Sequence, residues 1–423
     1  MKRPSMTRLG ATRLDRAGAA LALALPVFLL HGRGVAEAIL LAFDALFLTR
    51  SGIARDWSWL RRGWVRIGLA WWAWLVVCSA RWEGGQLVQA ILVVRFLVLV
   101  AALEHWALSA AATRRWLAAL VRLAFLYIAL HAAVQFATGH DLYGWPRGPD
   151  GELTGPYREP RAGPVLARLF FPALLPPVPR LLGGAGWKPL WGALILLGGA
   201  ALMVLTGQRV PLLLTVLGLV VTALFMPRLR LPVLTALVGA GLLLAASRVV
   251  SPPAFHRQVE KFSAQMAHFP ASPYGLIAAR ALAIGEAHPL LGRGFDGFRR
   301  ACADPAYFRG WQGGDGGGAA ICVQHPHNHY LQAFVEAGVP GLALFCALVL
   351  AWLAALVPGL WQDPDGLRVA LFVAALLHEW PVASASSVVA MPLSGWFFLL
   401  LGLGLAETRA YILGRQGSET PRA

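Results

Sequence analysis

Long apolar runs recur along this chain, and they constrain its fold more than any other feature. The 423 residues are 57% hydrophobic and 14% charged, whereas about a quarter of the residues in soluble domains are charged. We count about twelve runs long enough to cross a bilayer as helices. They lie near residues 17–31, 35–49, 64–81, 88–103, 116–138, 163–182, 187–206, 209–226, 231–249, 331–358, 366–384 and 389–409. The pattern predicts an all-α polytopic membrane protein.

The basic side chains lie mainly in the gaps between these runs and predict an orientation in the membrane. The chain carries a formal net charge of +16, and short cytoplasmic loops of membrane proteins are enriched in Lys and Arg. With the N-terminus inside, the basic gap 55–66 and the C-terminal tail both fall on the cytoplasmic side. The opposite side then holds the segments 139–162 and 250–329. The sequence offers no basic soluble domain for nucleic acid, so we expect no such partner.

The segment 250–329 divides the chain into three parts. Residues 1–249 hold the first nine predicted spans, residues 250–329 form an external loop, and residues 330–423 hold the last three spans and a cytoplasmic tail. Within the loop, a helix is predicted from about 273 to 287, before a glycine-rich turn. Cys302 and Cys322 share this loop and form a disulfide only if it faces an oxidising compartment. The sequence alone leaves that pairing open.

The loop ends in the stretch HPHNHYLQAFVEAGVPG, which brings His325, His327 and His329 close together. A zinc site is disfavoured because Pro326 interrupts the helix face that His325 and His329 would share, and no HExxH pattern is present. A helix is predicted from His329 to Ala337, with Asn328 as its N-cap and Gly338 closing the turn. The positive end of its dipole disfavours imidazolium and keeps His327 neutral, as a general base requires. The residues alone leave two alternatives open, a base or a set of interfacial histidines.

Two arginines on the same predicted side favour an anionic substrate. Arg209 lies at the external end of a predicted span, with Pro211 in the first helical turn, and Arg280 lies on the predicted loop helix. Arginine forks bind diphosphates well, which would explain two cations beside a candidate base. Each arginine alone is also compatible with a snorkelling or solvated side chain. Arg95, in the middle of the run ILVVRFLVLV, is expected to face a cavity or a partner.

Four motifs in the right order resemble those of the O-antigen ligase and polymerase superfamily, which are bacterial membrane glycosyltransferases. The ligase pattern is His, then Asn, Ser or Gln, then nine residues and Gly-x-x-Gly. It is matched by His327-Asn328, Gly338 and Gly341. An Arg-x-x-x-Leu motif begins at Arg209, and HPLLGRGFDGF is similar to the superfamily's loop signature. The stretch LTGPYREPRAG resembles a further conserved region of these enzymes.

The chain departs from the superfamily pattern in three places. Val210 stands where a small residue usually follows the motif arginine. Leu342 ends the histidine motif where Gly, Thr or Tyr is usual. An arginine replaces the usual asparagine in LTGPYREPRAG. In motif terms the resemblance spans roughly residues 150 to 350.

The resemblance implies a GT-C-like fold with a partly helical periplasmic loop, and a transfer of glycan from undecaprenyl diphosphate to a hydroxyl of the lipid A–core oligosaccharide. It implies that His327 is the catalytic base and that Arg209 and Arg280 bind and stabilise the diphosphate. Asn328 and Arg161 are expected to contact substrate as well. No metal or other cofactor is expected, because a diphosphate leaves without protonation. The expected partners are the lipid-linked O-antigen donor, the lipid A–core acceptor and membrane lipids.

The same resemblance implies a place in the cell and leaves other reactions open. We expect a bacterial inner-membrane protein with both termini in the cytoplasm and the active site on the periplasmic face. A polymerase or a protein O-oligosaccharyltransferase of the same superfamily would share the donor. The ligase is favoured by the His-Asn pattern, the late position of the large loop and an arginine-rich outer surface suited to an anionic acceptor. A lipid-linked sugar transporter is disfavoured, because its charges should line a path open to both sides.

Overall fold

The computed structural model describes residues 6–82, 85–250, 252–308, 318–382 and 386–419. The chain is 77% helical, and no β-strand occurs in these ranges. The predicted all-α class is therefore confirmed.

The helices follow one another along the chain with short connections. Their bounds are α1 Met6–His31, α2 Arg33–Ala54, α3 Gly63–Ser79, α4 Gln86–Leu92, α5 Val94–Ala102, α6 Ala111–Thr138, α7 Ala162–Leu174, α8 Val178–Leu182, α9 Lys188–Leu205, α10 Arg209–Phe225, α11 Arg230–Val250, α12 Pro252–Phe255, α13 Lys261–Ala267, α14 Pro273–Ala287, α15 Gly297–Ala301, α16 His329–Leu356, α17 Gly366–His378 and α18 Leu393–Glu419. Single turns of 3₁₀ or π helix lie at Ser58–Arg61, Leu103–Ala107, Pro227–Leu229, His256–Glu260, Phe269–Ala271, Pro305–Tyr307 and Ala319–Ile321.

Each predicted span coincides with helix, and the structure corrects the bounds of some. In the part of the chain that it describes, seven helical segments are long and apolar enough to cross a membrane. They are Arg13–His31, Gln86–Ala107, Ala111–Thr138, Lys188–Leu205, Pro227–Val250, His329–Leu356 and Leu393–Gln416. The predicted span 163–182 is broken between α7 and α8 at Pro176 and Pro177, because proline lacks the N–H that continues a helix. The predicted span 366–384 ends early, at His378.

The chain forms two compact units. Unit 1 comprises residues 1–109, 265–355 and 379–402, and unit 2 comprises residues 110–264, 356–378 and 403–423. In unit 1, glycines let large side chains approach neighbouring helices closely. A Cβ on Gly18 would lie 2.5 Å from the Trp106 ring, and one on Gly402 would lie 2.5 Å from Leu103. Close packing at small residues is typical of membrane helix interfaces.

Arg95 of unit 1 has the partner that its position in an apolar run predicts. Its Nε lies 3.3 Å from a carboxylate oxygen of Glu37 on α2, and its guanidinium lies 4.5 Å from the centre of the Phe96 ring. Arg95 also lines a cavity of this unit. The expectation that it faces a cavity or a partner is confirmed.

Unit 2 is organised around α7, which packs against α6, α9, α10 and α17. Most residues of this short helix are buried, including Phe170 and Phe171. Glycines again allow the contact: a Cβ on Gly199 would lie 2.9 Å from Phe170, and one on Gly218 would lie 2.3 Å from Phe171. Burial of such aromatic side chains dominates the packing energy of helical cores.

Candidate active site

Helix α16 of unit 1 is interrupted shortly after its start. Gly338 has φ 65° and ψ −166°, which are not helical values. The N–H of Val339 turns away and donates to the carbonyl of Pro289, at 2.7 Å. Residue 340 is a proline and has no N–H to donate. The carbonyls of Val335 and Glu336 therefore lose the donors that an unbroken helix would give them.

The turn of the HPLLGRG stretch supplies the missing donors. The N–H of Arg293 donates to Val335 at 2.7 Å, and the N–H of Gly294 donates to Glu336 at 2.9 Å. The indole of Trp74 donates to the next carbonyl, that of Ala337, at 2.9 Å. Buried carbonyls left without donors would destabilise the fold. The loop turn and the helix break are therefore parts of one hydrogen-bonded assembly.

Two glycines make this approach of backbone to backbone possible. Gly292 has φ 57°, and a Cβ there would lie 2.4 Å from the carbonyl carbon of Glu336. Gly338 has φ 65°, and a Cβ there would lie 2.5 Å from the carbonyl oxygen of Pro289. Positive φ and such close contact both require glycine. The loop motif and the histidine motif therefore require their glycines for the same reason, which is the close approach of their two backbones.

Asn328 caps the start of α16, as predicted. Its side-chain oxygen accepts hydrogen bonds from the N–H groups of Tyr330 and Leu331, both at 3.0 Å. Its amide nitrogen donates to the carbonyl of Pro381 at 2.6 Å. The preceding residue, His327, has φ 55°, a left-handed conformation that is uncommon outside glycine. Non-glycine residues in this region cluster at functional sites, where the surrounding structure maintains the strain.

The His327 ring is half-buried between two other rings. The ring centre of His325 lies 4.5 Å away, edge to face, and that of Tyr274 on α14 lies 6.0 Å away. Burial, together with the neighbouring His327 and His329, lowers the pKa of His325 to about 4. The imidazole of His325 is therefore neutral at pH 7 and adds no positive charge beside His327.

Both ring nitrogens of His329 have partners. Nδ1 lies 2.8 Å from a carboxylate oxygen of Glu379, and Nε2 lies 2.9 Å from the carbonyl of Ser386. The side chain is 3% exposed, so this role is structural. The three histidines consequently do not converge: His325 and His327 contact each other, and His329 joins α16 to the segment before α18.

Arg280 is buried inside the loop formed by residues 250–329. Its Nη1 donates to the carbonyl of Cys302, and its guanidinium lies 4.1 Å from the centre of the Phe308 ring. Cys302 is disulfide-bonded to Cys322, which settles the pairing that the sequence left open. Helix α14 runs from Pro273 to Ala287, as predicted, and Ser272 is its N-cap. Arg280 and the Tyr274 that touches His327 therefore lie on one helix, about 9 Å apart along its axis.

Arg209 belongs to unit 2, where it is the first residue of α10. The expected position of Pro211 in the first turn is confirmed. The Arg209 guanidinium lies 5.8 Å from the centre of the Phe262 ring. The end of α9 is held beside this site, since Thr206 accepts from the N–H of Leu153 at 3.1 Å.

Acidic and basic side chains surround the start of α10. Arg257 bonds two carboxylates, Asp150 at 2.6 Å and Glu152 at 2.5 Å, and Lys261 lies 3.7 Å from Asp150. Burial raises the pKa of Glu152, while Arg257 and Arg209 oppose that rise. Arg209 is thus within electrostatic reach of a buried carboxylate, and the network joins two segments more than a hundred residues apart in sequence.

Arg161, the remaining predicted substrate-binding residue, lies in unit 2 on the surface. It precedes α7, and its Nη2 donates to Glu159 at 2.6 Å, with half of the side chain exposed. The structure therefore brings His327 and Asn328 together in unit 1, with Arg280 on the adjoining loop helix. Arg209 and Arg161 lie in unit 2.

Sequence reasoning assigned no role to two contributors to this site, Tyr274 and Glu336, although Glu336 fits the spacing of the histidine motif. Tyr274 gives no signal in sequence, because its contact with His327 spans more than fifty residues. The Glu336 carboxylate accepts the N–H of Asp296 at 3.0 Å and the amide of Gln332 at 3.0 Å. Gln332 lies four residues before Glu336 on the same helix, a spacing at which two side chains can meet.

Comparison with known proteins agrees with this geometry. A family model described as O-antigen ligase matches residues 193–346, about a third of the chain. The match begins within α9 and ends within α16, so that it includes Arg209, Arg280 and His327. No curated protein matches the chain.

Proposed function

We propose that this chain, a member of the O-antigen ligase and polymerase superfamily, transfers a glycan from undecaprenyl diphosphate to a hydroxyl of the lipid A–core oligosaccharide. The observation that carries the proposal is the position of His327. This residue precedes the capped start of α16 in a left-handed conformation. The backbone of Val335 and Glu336 on the same helix is bonded to the loop motif.

The proposed step forms one bond and breaks one. An acceptor hydroxyl oxygen attacks the anomeric carbon of the donor glycan, and its proton passes to His327. The bond between the anomeric carbon and the phosphate oxygen breaks, and the electron pair leaves with the diphosphate. Attack from the face opposite the diphosphate inverts the anomeric centre. A neutral imidazole is required, and it is favoured by the N-terminal end of α16 and the uncharged His325 nearby.

Arg209 and Arg280 are the proposed diphosphate ligands. Negative charge grows on the leaving group as the bond breaks, and fixed cations in a dry site stabilise such charge strongly. Arg209 begins α10, where the helix N-terminus also favours an anion. Arg280 is held in place by the Cys302 carbonyl and Phe308. This arrangement supplies positive charge without a divalent metal.

We further propose that this chemistry occurs on the periplasmic face of the inner membrane. The disulfide between Cys302 and Cys322 supports that location, because such bonds persist in the periplasm and are reduced in the cytoplasm. The same orientation leaves both termini in the cytoplasm, as the arginine distribution predicts.

A ligase is proposed over a polymerase, and a deletion strain separates the two. A strain without the ligase should accumulate long glycans on undecaprenyl diphosphate, and its lipid A–core should carry no O-antigen. Restoration by the wild-type gene and not by a His327→Ala variant would support the proposal. A strain whose core carries single repeat units would identify a polymerase instead. Unchanged lipopolysaccharide with altered glycoproteins would point to a protein O-oligosaccharyltransferase.

A further inference from the structure

Unit 1 contains a cavity of about 370 Å³ next to the histidine pair. This volume falls in the usual range of small-molecule sites, about 300–1,000 Å³. Its polar walls include Arg33, Glu37, Arg95, Asp296, Arg299 and Gln324. His325 lines the cavity, and its ring also contacts the ring of His327. Phe295, Asp296 and Phe298 of the wall belong to the HPLLGRGFDGF motif, and Gln332 and Glu336 lie within the histidine motif. The wall residues outside both motifs include Arg33, Glu37, Arg95, Arg299 and Gln324.

The charges of this cavity are largely balanced within its walls. Arg95 pairs with Glu37 at 3.3 Å, and Arg299 lies 3.8 Å from Asp296. A cavity specific for a strong anion or cation would hold an excess of the opposite charge. The walls instead contain both donor and acceptor side chains, together with apolar side chains such as Phe295, Phe298 and Val389.

A sugar matches this combination of donors, acceptors and apolar groups better than a strongly charged ligand does. Each hydroxyl group both donates and accepts a hydrogen bond, so it can bridge a guanidinium and a carboxylate. The C–H faces of a sugar ring pack on apolar side chains, which exclude water from these bonds. His325 is a further polar residue of the wall.

We infer that this cavity binds the saccharide part of the acceptor, one or two sugars away from the hydroxyl that reacts. The inference rests on the proposed function, because His327 can take a proton only from an acceptor hydroxyl beside it. The group that occupies the neighbouring cavity is then part of the same molecule. His325 lines the cavity and its ring centre lies 4.5 Å from that of His327, so the cavity adjoins the proposed base.

The test compares cavity variants with a matched control on the same helix. Arg299→Ala and Gln324→Leu remove wall groups from exposed positions, and Arg300→Ala removes an exposed arginine of α15 that does not line the cavity. Transfer is measured with purified full-length protein, lipid-diphosphate glycan and lipid A–core isolated from the deletion strain. Binding of the lipid-free core oligosaccharide is measured separately by ligand-observed NMR.

We expect the KM for lipid A–core to rise about tenfold in both cavity variants, with the KM for donor unchanged and Arg300→Ala like wild type. Binding of the core oligosaccharide should weaken in parallel. A rise in the donor KM would instead assign the cavity to the donor glycan and overturn the inference. An unchanged acceptor KM in active enzyme would also overturn it and leave the proposed function intact.

The two proposals fail in distinguishable ways. Should the wild-type protein not transfer to lipid A–core at all, the proposed function fails. The NMR measurement then tests the proposed subsite independently of transfer. If the core oligosaccharide does not bind to the wild-type protein, the subsite inference is overturned. Thermal unfolding of each variant shows whether a lost signal reflects misfolding, and Gln324→Leu, at an exposed loop position, is the variant least able to disturb the fold.

Discussion

The histidine of unit 1 and the arginine of unit 2 are held by different forces. Around His327, backbone N–H groups and carbonyls bond one another, and glycines permit the contact. Around Arg209, charged side chains bond one another, and Arg257 bridges two carboxylates. A proton-transfer group needs a fixed position within a hydrogen-bond length, whereas a cation that stabilises a diffuse charge tolerates more freedom. The two environments match these two demands.

The largest expected effect follows from removing the base. His327→Ala should lower the transfer rate about 10³-fold, within the range typical of general bases, because no other described ring takes its place before α16. The rate is measured on purified protein with saturating donor and acceptor. His256→Ala is the control, since His256 is an exposed loop histidine paired with Glu260. Near-normal turnover of His327→Ala would exclude the base role.

Substitution of the two neighbouring histidines, His325 and His329, tests whether the effect is specific to His327. His325→Ala should be milder than His327→Ala, because His325 borders the base without holding the motif position. His329→Ala should act mainly through stability, since it removes buried hydrogen bonds to Glu379 and Ser386. A lower thermal midpoint with normal activity in the folded fraction is the expected result. Loss of activity at unchanged stability would give His329 a catalytic role.

Arg209→Ala should lower the transfer rate about 10²-fold, the loss typical of removing one group that stabilises developing charge. Arg209→Lys should recover only part of it, because lysine lacks the bidentate fork. Binding of the lipid diphosphate should weaken in both variants when measured directly. Arg228→Ala, at an exposed position near the other end of α10, is the control. Unchanged binding together with unchanged turnover would refute the diphosphate role.

The backbone assembly of unit 1 should be sensitive to single methyl groups. Gly338→Ala is expected to destabilise the protein by about 2 kcal/mol or more, from left-handed strain and steric contact together. Gly241→Ala is the control, because Gly241 is helical and a Cβ there meets nothing within 4 Å. That change should be neutral or slightly stabilising. Equal thermal midpoints for the two variants would mean that the assembly does not depend on Gly338.

Local features of unit 1 could be predicted from sequence, and its assembly could not. The helix at Pro273–Ala287, the cap at Asn328 and the break at Gly338 each follow from residues a few positions apart. The bond from Arg293 to Val335 joins two distant motifs, and neither motif alone indicates which carbonyls are left without donors. The burial of Arg280 next to the disulfide-bonded Cys302 could not be predicted either, because it depends on how the loop folds over α14.

Unit 2 shows the limit of sequence reasoning more clearly. The start of α10 and the place of Pro211 were predictable from a proline and an apolar run. The partners of Arg257 were not, because Asp150 and Glu152 precede it by more than a hundred residues and lie in another loop. Charged residues of loops carry little information about their partners, since most such charges are solvated.

The ion-pair network of unit 2 should make donor binding sensitive to salt. Raising the ionic strength from about 0.05 M to about 0.5 M screens partly exposed charges, so the donor KM should rise several-fold. Arg257→Ala should raise the donor KM at low salt and remove much of this dependence. Lys188→Ala, at the opposite end of α9, should behave like wild type. A salt response unchanged by Arg257→Ala would locate its origin outside the network.

The smallest expected effect concerns acid and is specific to unit 1. The pKa of His325 is lowered to about 4 in the folded protein, whereas an unfolded histidine titrates near 6.5. Between these values the unfolded chain binds a proton that the folded chain does not. Stability is therefore full above about pH 6.5 and falls as the pH drops toward 4.

His325→Gln should remove part of this acid sensitivity, because glutamine does not titrate. The expected result is a smaller difference in thermal midpoint between pH 7.5 and pH 4.5 for His325→Gln than for wild type. His268→Gln, at an exposed loop histidine, should leave the difference unchanged. Equal responses of wild type and both variants would mean that His325 is not held neutral by its surroundings, and the uncharged environment proposed for His327 would lose its main support.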